Sequence, residues 1–211
     1  MLTLRKAAIN EEIDYLFLKN ALKSYRSPRA KISALLRDQV LIRVKKGLYV
    51  FGPEYAQKPF VKETLANLIY GPSCISLEYA LSFYGFIPER VTTITSITNK
   101  KDKFFATPVG NFSYRYLHSN KYSVGITQIL YDQTHPILIA TPEKALADKI
   151  LLTTPNLKLT NQKELLEFLY DDLRISDEKI KSLNKNLFNE IAACYFNANI
   201  SHLNNYLLRR Q

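Results

Sequence analysis

Residues 27–51, SPRAKISALLRDQVLIRVKKGLYVF, decide how the first part of this chain folds. Ser27 can accept a bond from a free backbone N–H in the first turn of a helix. Pro28 suits the first helical position, where a missing N–H costs nothing. Ile32, Leu35 and Leu36 recur at i, i+3 and i+4 and so share a buried face. Arg29, Ser33 and Arg37 recur every fourth residue on a different face, with Ala30 and Ala34 beside them, small enough to admit a close partner. Beyond the helix, Leu41, Ile42, Val44, Leu48, Val50 and Phe51 supply apolar and β-branched residues for two short strands. Gly47 supplies the backbone angle of a tight turn, and Arg43, Lys45 and Lys46 place three cations at or near it.

A basic helix followed at once by a two-stranded ribbon is the core of a winged helix-turn-helix, in which the helix enters the major groove of DNA and the wing lies along phosphates. Arg29, near a helix N-terminus that itself favours phosphate, can donate two bonds to a guanine edge or a phosphate. Arg26, Ser27, Arg29, Lys31, Ser33 and Arg37 are therefore the candidate groove and adjacent phosphate contacts. Arg43, Lys45 and Lys46 are the candidate wing contacts. An ordinary helix and hairpin with a solvated charged face would use the same residue types, so the charge distribution has to be weighed beside the motif.

The chain of 211 residues carries 29 Lys and Arg against 19 Asp and Glu, a net charge of +10. Residues 1–60 hold twelve bases and five acids, a balance of +7, and the remainder seventeen and fourteen, +3. A basic end on a near-neutral body fits a polyanion-binding module joined to something else. A membrane-surface role would add an exposed apolar helix face, and none stands out. No apolar run reaches bilayer length and the first residues, MLTLRKAAINEE, carry no secretory pattern, so a cytoplasmic location is expected. Cys74 and Cys194, far apart, read as reduced thiols.

The expected fold class is α+β. Residues 1–55 form the DNA-binding domain, a link lies between about residues 53 and 61, and residues 60–211 form a mixed α/β domain with an antiparallel-rich sheet. Residues 11–25 read as the helix packed behind the basic helix, whereas residues 1–9 leave a short helix and a mobile arm both open. Helices are expected at 62–70 and 76–84, the latter stopped by Gly85. Strands are expected at 91–98, 103–107, 111–117, 124–131 and 136–139. Phe112, Tyr114 and Tyr116 alternate along one strand. Such a row can stack bases, but it reads first as the buried face of a sheet. Thr141, Pro142 and Glu143 open a helix through Leu152 on which Lys144 and Asp148, four apart, can pair. From about residue 160 the tail is helical, in three segments, the last ending at Leu207, Leu208, Arg209 and Arg210.

Catalytic chemistry is thinly represented. His118, His135 and His202 lack metal-ligand spacing to one another and to the cysteines. With six glycines there is no phosphate-cradling loop, and no Gly-x-Ser-x-Gly elbow occurs. The best candidate is Glu143, Lys144 and Asp148, which could bind a metal and activate water; a capped helix with an ion pair explains the same residues. No cofactor, no metal and no enzymatic activity are expected.

Several stretches together resemble the AbiEi-type antitoxins of type IV toxin–antitoxin (abortive infection) systems. They are RVKKGLYV at 43–50, ISLEYALSFYG at 75–85, IPERV at 87–91, NFSYRY at 111–116 and TPEKALADK at 141–149. The resemblance covers about residues 27–152, and its specificity lies in their joint occurrence in this order. It implies an N-terminal winged helix-turn-helix that represses its own operon by binding double-stranded DNA at inverted repeats in the promoter. It also implies a C-terminal α/β domain that counters a co-encoded nucleotidyltransferase-like toxin without forming a stable complex with it. Two other readings stay open on the residues alone: a stand-alone regulator with a ligand- or partner-sensing C-terminal domain, and a metal-dependent nuclease or nucleotide-transferring enzyme using Glu143 and Asp148.

Overall fold

The computed structural model describes residues 2–153 and 158–209. Its first segment runs α1 (Leu2–Ala7), β1 (Glu12–Asp14), α2 (Tyr15–Ala21), α3 (Pro28–Arg37), β2 (Leu41–Lys45) and β3 (Leu48–Phe51). The helix expected over 11–25 is thus a strand followed by a shorter helix. Asp14 accepts the N–H of Phe17 at 2.6 Å and starts α2 at Tyr15. That releases Glu12–Asp14 to pair antiparallel with Val50, Tyr49 and Leu48. The three strands lie in the order β1-β3-β2.

The second segment begins with α4 (Lys62–Ile69), β4 (Ser73–Ile75), α5 (Leu77–Phe83), β5 (Ile94–Thr98), β6 (Lys103–Thr107) and β7 (Gly110–Tyr116). It continues through α6 (Ser119–Tyr122), β8 (Ile126–Leu130), β9 (Pro136–Ala140) and α7 (Pro142–Thr153). Six strands form one sheet in the order β6-β7-β5-β4-β9-β8, in which β7/β5 and β4/β9 run parallel and the other three pairings antiparallel. Phe112 and Tyr114 are buried in it, as a packed sheet face requires, while Tyr116 at the strand end is half exposed. The tail is helical: α8 (Gln162–Glu167) continuing through a π-turn (Phe168–Asp172), then α9 (Asp177–Ser182), α10 (Lys185–Tyr195) and α11 (Ala198–Arg209). The second expected tail segment is divided because Asn184 caps a new helix, accepting the N–H of Leu187 at 3.1 Å. The expected helical end at Arg210 lies outside the described residues. Among the described residues no helix is long and apolar enough to cross a membrane.

Among the described residues two hydrophobic clusters form, and the ribbon belongs to both. Strand alternation sends Tyr49 and Phe51 of β3 to a small cluster with Leu18, Leu22, Ile32, Leu35 and Leu41. Leu48 and Val50, with Val44 of β2, join the large cluster built on the six-stranded sheet. Polar contacts reinforce the junction. Glu12 accepts the N–H of Val61 and lies 3.0 Å from Nε2 of buried His135, whose Nδ1 is 2.8 Å from Asp132. Asp132 accepts the N–H groups of Thr134 and His135, and bonding to Thr134 first of all holds its carboxyl down to about 2. Glu11, buried, takes both Nη groups of Arg5 and the N–H groups of Gln57 and Lys58.

A shared core predicts a single cooperative unfolding transition. Far-ultraviolet circular dichroism and tyrosine fluorescence should give coincident urea curves, and two separated transitions would contradict the shared core. Leu48→Ala should cost about 2–5 kcal/mol in that measurement while keeping a single transition.

Candidate nucleic-acid interface

Helix α3 is built as its sequence dictates. Ser27 Oγ accepts the N–H of Ala30 at 3.4 Å, Pro28 occupies the first turn, and Ile32 and Leu35 are buried. The chain then reverses at Gln39 and enters the ribbon, whose base closes through the Gly52 N–H to the Val40 carbonyl at 2.9 Å. Only glycine fits at 52, since a Cβ there would lie 2.0 Å from the Gln39 carbonyl oxygen. At the ribbon turn Gly47 takes φ +88°, which an L side chain rarely adopts.

Alternation alone would put Arg43 and Lys45 on one face of β2. The register shifts between them: Arg43 opposes Tyr49, Lys45 opposes Leu48, and Val44 is the extra residue of a bulge. The two cations therefore part. Arg43 stays exposed, its guanidinium 6.0 Å from the Tyr49 ring centre. Lys45, expected at the phosphate backbone beside Lys46, is half-buried on the other side. Its Nζ donates to the Ile69 carbonyl at 2.5 Å and lies 5.8 Å from the Phe105 ring centre.

Arg29 and Ser33 of α3 meet Arg43, Lys46 and Gly47 of the ribbon around one open groove, completed by Tyr15, Ile32 and Tyr49. Four of the candidate contacts converge there, and the lining contains no carboxylate. Tyr15 carried no sequence signal beyond following a capping Asp. Its N–H donates to the Gly47 carbonyl at 2.9 Å, and its hydroxyl accepts a bond from Arg29 Nε at 3.4 Å. It thus ties α2 to the ribbon turn and orients the Arg29 side chain. Ser33 Oγ donates to the Arg29 carbonyl at 3.2 Å. A second groove on the outer flank of the ribbon brings Arg37 together with Ser33, Arg43 and Pro108 of the β6–β7 turn. Arg37 also forms an exposed 3.0 Å pair with Asp38.

The remaining candidates lie apart from this convergence. Lys31 turns to another side of α3, its Nζ 5.4 Å from the Tyr25 ring centre, in a hollow with Leu4, Leu22 and Leu35. Arg26 is exposed just before α3, and the Ser27 hydroxyl acts as the helix cap.

The alternative catalytic trio is sealed inside the second segment. Asp148 accepts Ser76 Oγ at 2.6 Å and the Tyr195 hydroxyl, and lies 3.5 Å from Lys144 Nζ. Lys144 donates to the Lys121 carbonyl and the Tyr195 hydroxyl, each at 2.8 Å. Lys144 and Asp148 are both wholly buried, and burial raises the Asp148 carboxyl and lowers the Lys144 ammonium from their ordinary values. Glu143 accepts the Asn184 N–H at 2.7 Å. Among the described residues no group of three or more His, Cys, Asp and Glu could hold a metal ion. Removing one member of the pair, as in Asp148→Asn or Lys144→Met, should cost about 3–5 kcal/mol in urea unfolding. The double change Lys144→Met, Asp148→Leu should cost less than the worse single one, because no charge is left buried without its counterpart.

No protein-family model matches the chain, and no curated protein matches it.

Proposed function

We propose that this chain is a DNA-binding transcriptional autorepressor of the cytoplasm, that residues 1–55 are its winged helix-turn-helix, and that it has no catalytic role of its own. One observation carries this reading: Arg29 and Ser33 of α3 converge with Arg43 and Lys46 of the ribbon on a groove without carboxylates. The element order supports it as well. Helix, strand, two helices and a ribbon, with the first strand added to the ribbon as β1-β3-β2, give a helix whose outer face and an adjacent wing can engage one duplex. Arg29 would read a base edge or its phosphate, and Arg43 and Lys46 would hold the neighbouring backbone.

We further propose that the protein is the antitoxin of a type IV toxin–antitoxin pair, acting against a co-encoded nucleotidyltransferase-like toxin. This half rests on the resemblance of the quoted motifs. Within the fold the motif at 75–85 meets the one at 141–149 through Ser76 and Asp148, and through the ion pair of Glu78 with Lys149.

Purified protein titrated onto its own upstream DNA, beside a scrambled duplex of equal length and across a salt series, tests the first half. Tight, sequence-selective binding is expected, and equal weak binding to both duplexes would reject it. Lys46→Ala should weaken binding on all sequences and lower the salt slope by about 1, with stability unchanged. Lys45→Ala should act the other way, costing about 1 kcal/mol of stability by removing the bond to Ile69 while leaving the salt slope nearly intact. Arg29→Ala should relax sequence preference, by about 1–3 kcal/mol where it reads a base. Growth rescue upon co-expression with the adjacent downstream gene tests the antitoxin half.

A further inference from the structure

Strand β6 is one edge of the six-stranded sheet, and β2 is one edge of the three-stranded sheet. The structure sets these edges side by side. Pro108, just past β6, lines a groove with Gln39, Leu41 and Ile42 at the start of β2, and Phe105 within β6 meets Lys45 at its end. From Phe105 an aromatic cluster continues: its ring centre is 5.9 Å from that of Tyr70, over which Lys100 Nζ sits at 5.6 Å. Lys100 also donates to the Gly71 carbonyl, and the Tyr70 hydroxyl donates to the Lys101 carbonyl at 3.3 Å. The turn between β5 and β6 is thereby fixed to the same cluster that fixes the ribbon. Three steps, each below 6 Å, join Lys45 to Lys100.

This turn, together with the first residue of β6, is strongly cationic. Lys100, Lys101 and Lys103 are exposed, and Phe104 beside them is 58% exposed. The single acid of the turn, Asp102, is committed elsewhere, to Arg115 at 3.1 Å and to the Tyr116 N–H at 2.6 Å. The groove wall facing the turn of β6 and β7 is cationic too, through Arg37 and Arg43.

We infer that the β5–β6 turn, through Lys101 and Lys103 with Lys100 as its anchor, is a second phosphate clamp for the duplex that lies across α3 and the ribbon. This rests on the DNA-binding reading and extends its footprint onto the second segment. A duplex turn spans about 34 Å, longer than the three-step path from Lys45 to Lys100, so one duplex is long enough to reach both the ribbon and the clamp. Polyanion is the occupant that the chemistry selects: three exposed lysines at the start of β6, whose nearest acid is paired with Arg115, on a turn packed through Tyr70 and Phe105 to the ribbon. The contact is blind to sequence, because lysine reaching phosphate positions a duplex without reading it.

The experiment uses the full chain, its own upstream duplex and a scrambled duplex, with binding followed by fluorescence anisotropy from low to high salt. Lys101→Gln with Lys103→Gln, both at exposed positions, should weaken binding to the two duplexes by the same factor, roughly tenfold at low salt, and lower the salt slope by about 2. The ratio of specific to scrambled affinity should stay as in the parent, and hydroxyl-radical footprinting should lose protected sugars on the ribbon side of the site. Lys103→Glu alone should weaken binding further than Lys103→Gln, and thermal unfolding of each variant reports its folding. Parent-like affinity and slope in the double variant, with Lys46→Gln still weakening binding, would overturn the clamp and leave the DNA-binding reading standing. A parent protein that does not distinguish the two duplexes and binds both weakly would overturn both.

Discussion

Strand β3 has no solvent face, and that constraint organises the rest of the molecule. Its four residues are all buried, alternately in two different cores: Leu48 and Val50 beneath the six-stranded sheet, Tyr49 and Phe51 against α2 and α3. A ribbon with one wet face could swing about its base. This one is a partition wall, and moving it would expose apolar surface on both sides at once, at about 25 cal/mol for each Å² uncovered. The turn at Lys46 and Gly47 therefore holds a fixed position relative to both α3 and the second segment. The bulge at Val44 completes the arrangement. One extra residue sends Arg43 outward to the groove and Lys45 inward to Ile69, so the same ribbon presents a cation to solvent and uses another to fasten itself.

Charge is sorted by the same geometry. Of the five acids in the first sixty residues, four have partners away from the groove: Glu11 and Glu12 are buried toward the link and the second segment, and Asp14 caps α2. Asp38 faces Arg37. Arg29, Arg43 and Lys46 are left around a groove that no carboxylate lines. Three of the twelve bases of the first sixty residues thus gather around one groove that the acids leave clear. A net charge alone would attract any polyanion weakly; cations held on a helix and a fixed ribbon give that attraction a direction.

Much of this was legible in the sequence where the signal was local. Ser27, Pro28 and the i, i+3, i+4 spacing of Ile32, Leu35 and Leu36 specify α3 without help from the rest of the chain, and Gly47 between apolar runs specifies the ribbon turn. The candidate cations were legible as a set, but their partition was not. A bulge is a property of pairing, and nothing in Arg43-Val44-Lys45 says which cation turns inward; the carbonyl of Ile69, 24 residues on, decides it. Glu11 and Glu12 fall at the start of the helix expected over 11–25 because their true partners, Arg5, the link at 57–61 and His135, are set by tertiary packing. Strand β4, three residues long, is a strand only because β5 and β9 lie on either side of it. Tyr15 escaped notice for the same reason, since its value lies in two contacts, one to Gly47 and one to Arg29, that the chain brings together from opposite directions.

Fastening the ribbon to the second segment has an energetic consequence for the proposed duplex contact. A mobile wing must be ordered on binding, at about 0.5–1.5 kcal/mol for each flexible side chain immobilised. A wing already locked between two cores avoids much of that cost, and it accepts only a duplex whose backbone passes where the turn already is. The same rigidity joins the groove to whatever engages the second segment. Lys45, Phe105 and Tyr70 form a packed path from the ribbon to the end of α4 and the β5–β6 turn. A partner that shifted α4 or β6 would have to shift the ribbon, and a duplex holding the ribbon would resist that partner by the same free energy, because coupling between two sites is reciprocal.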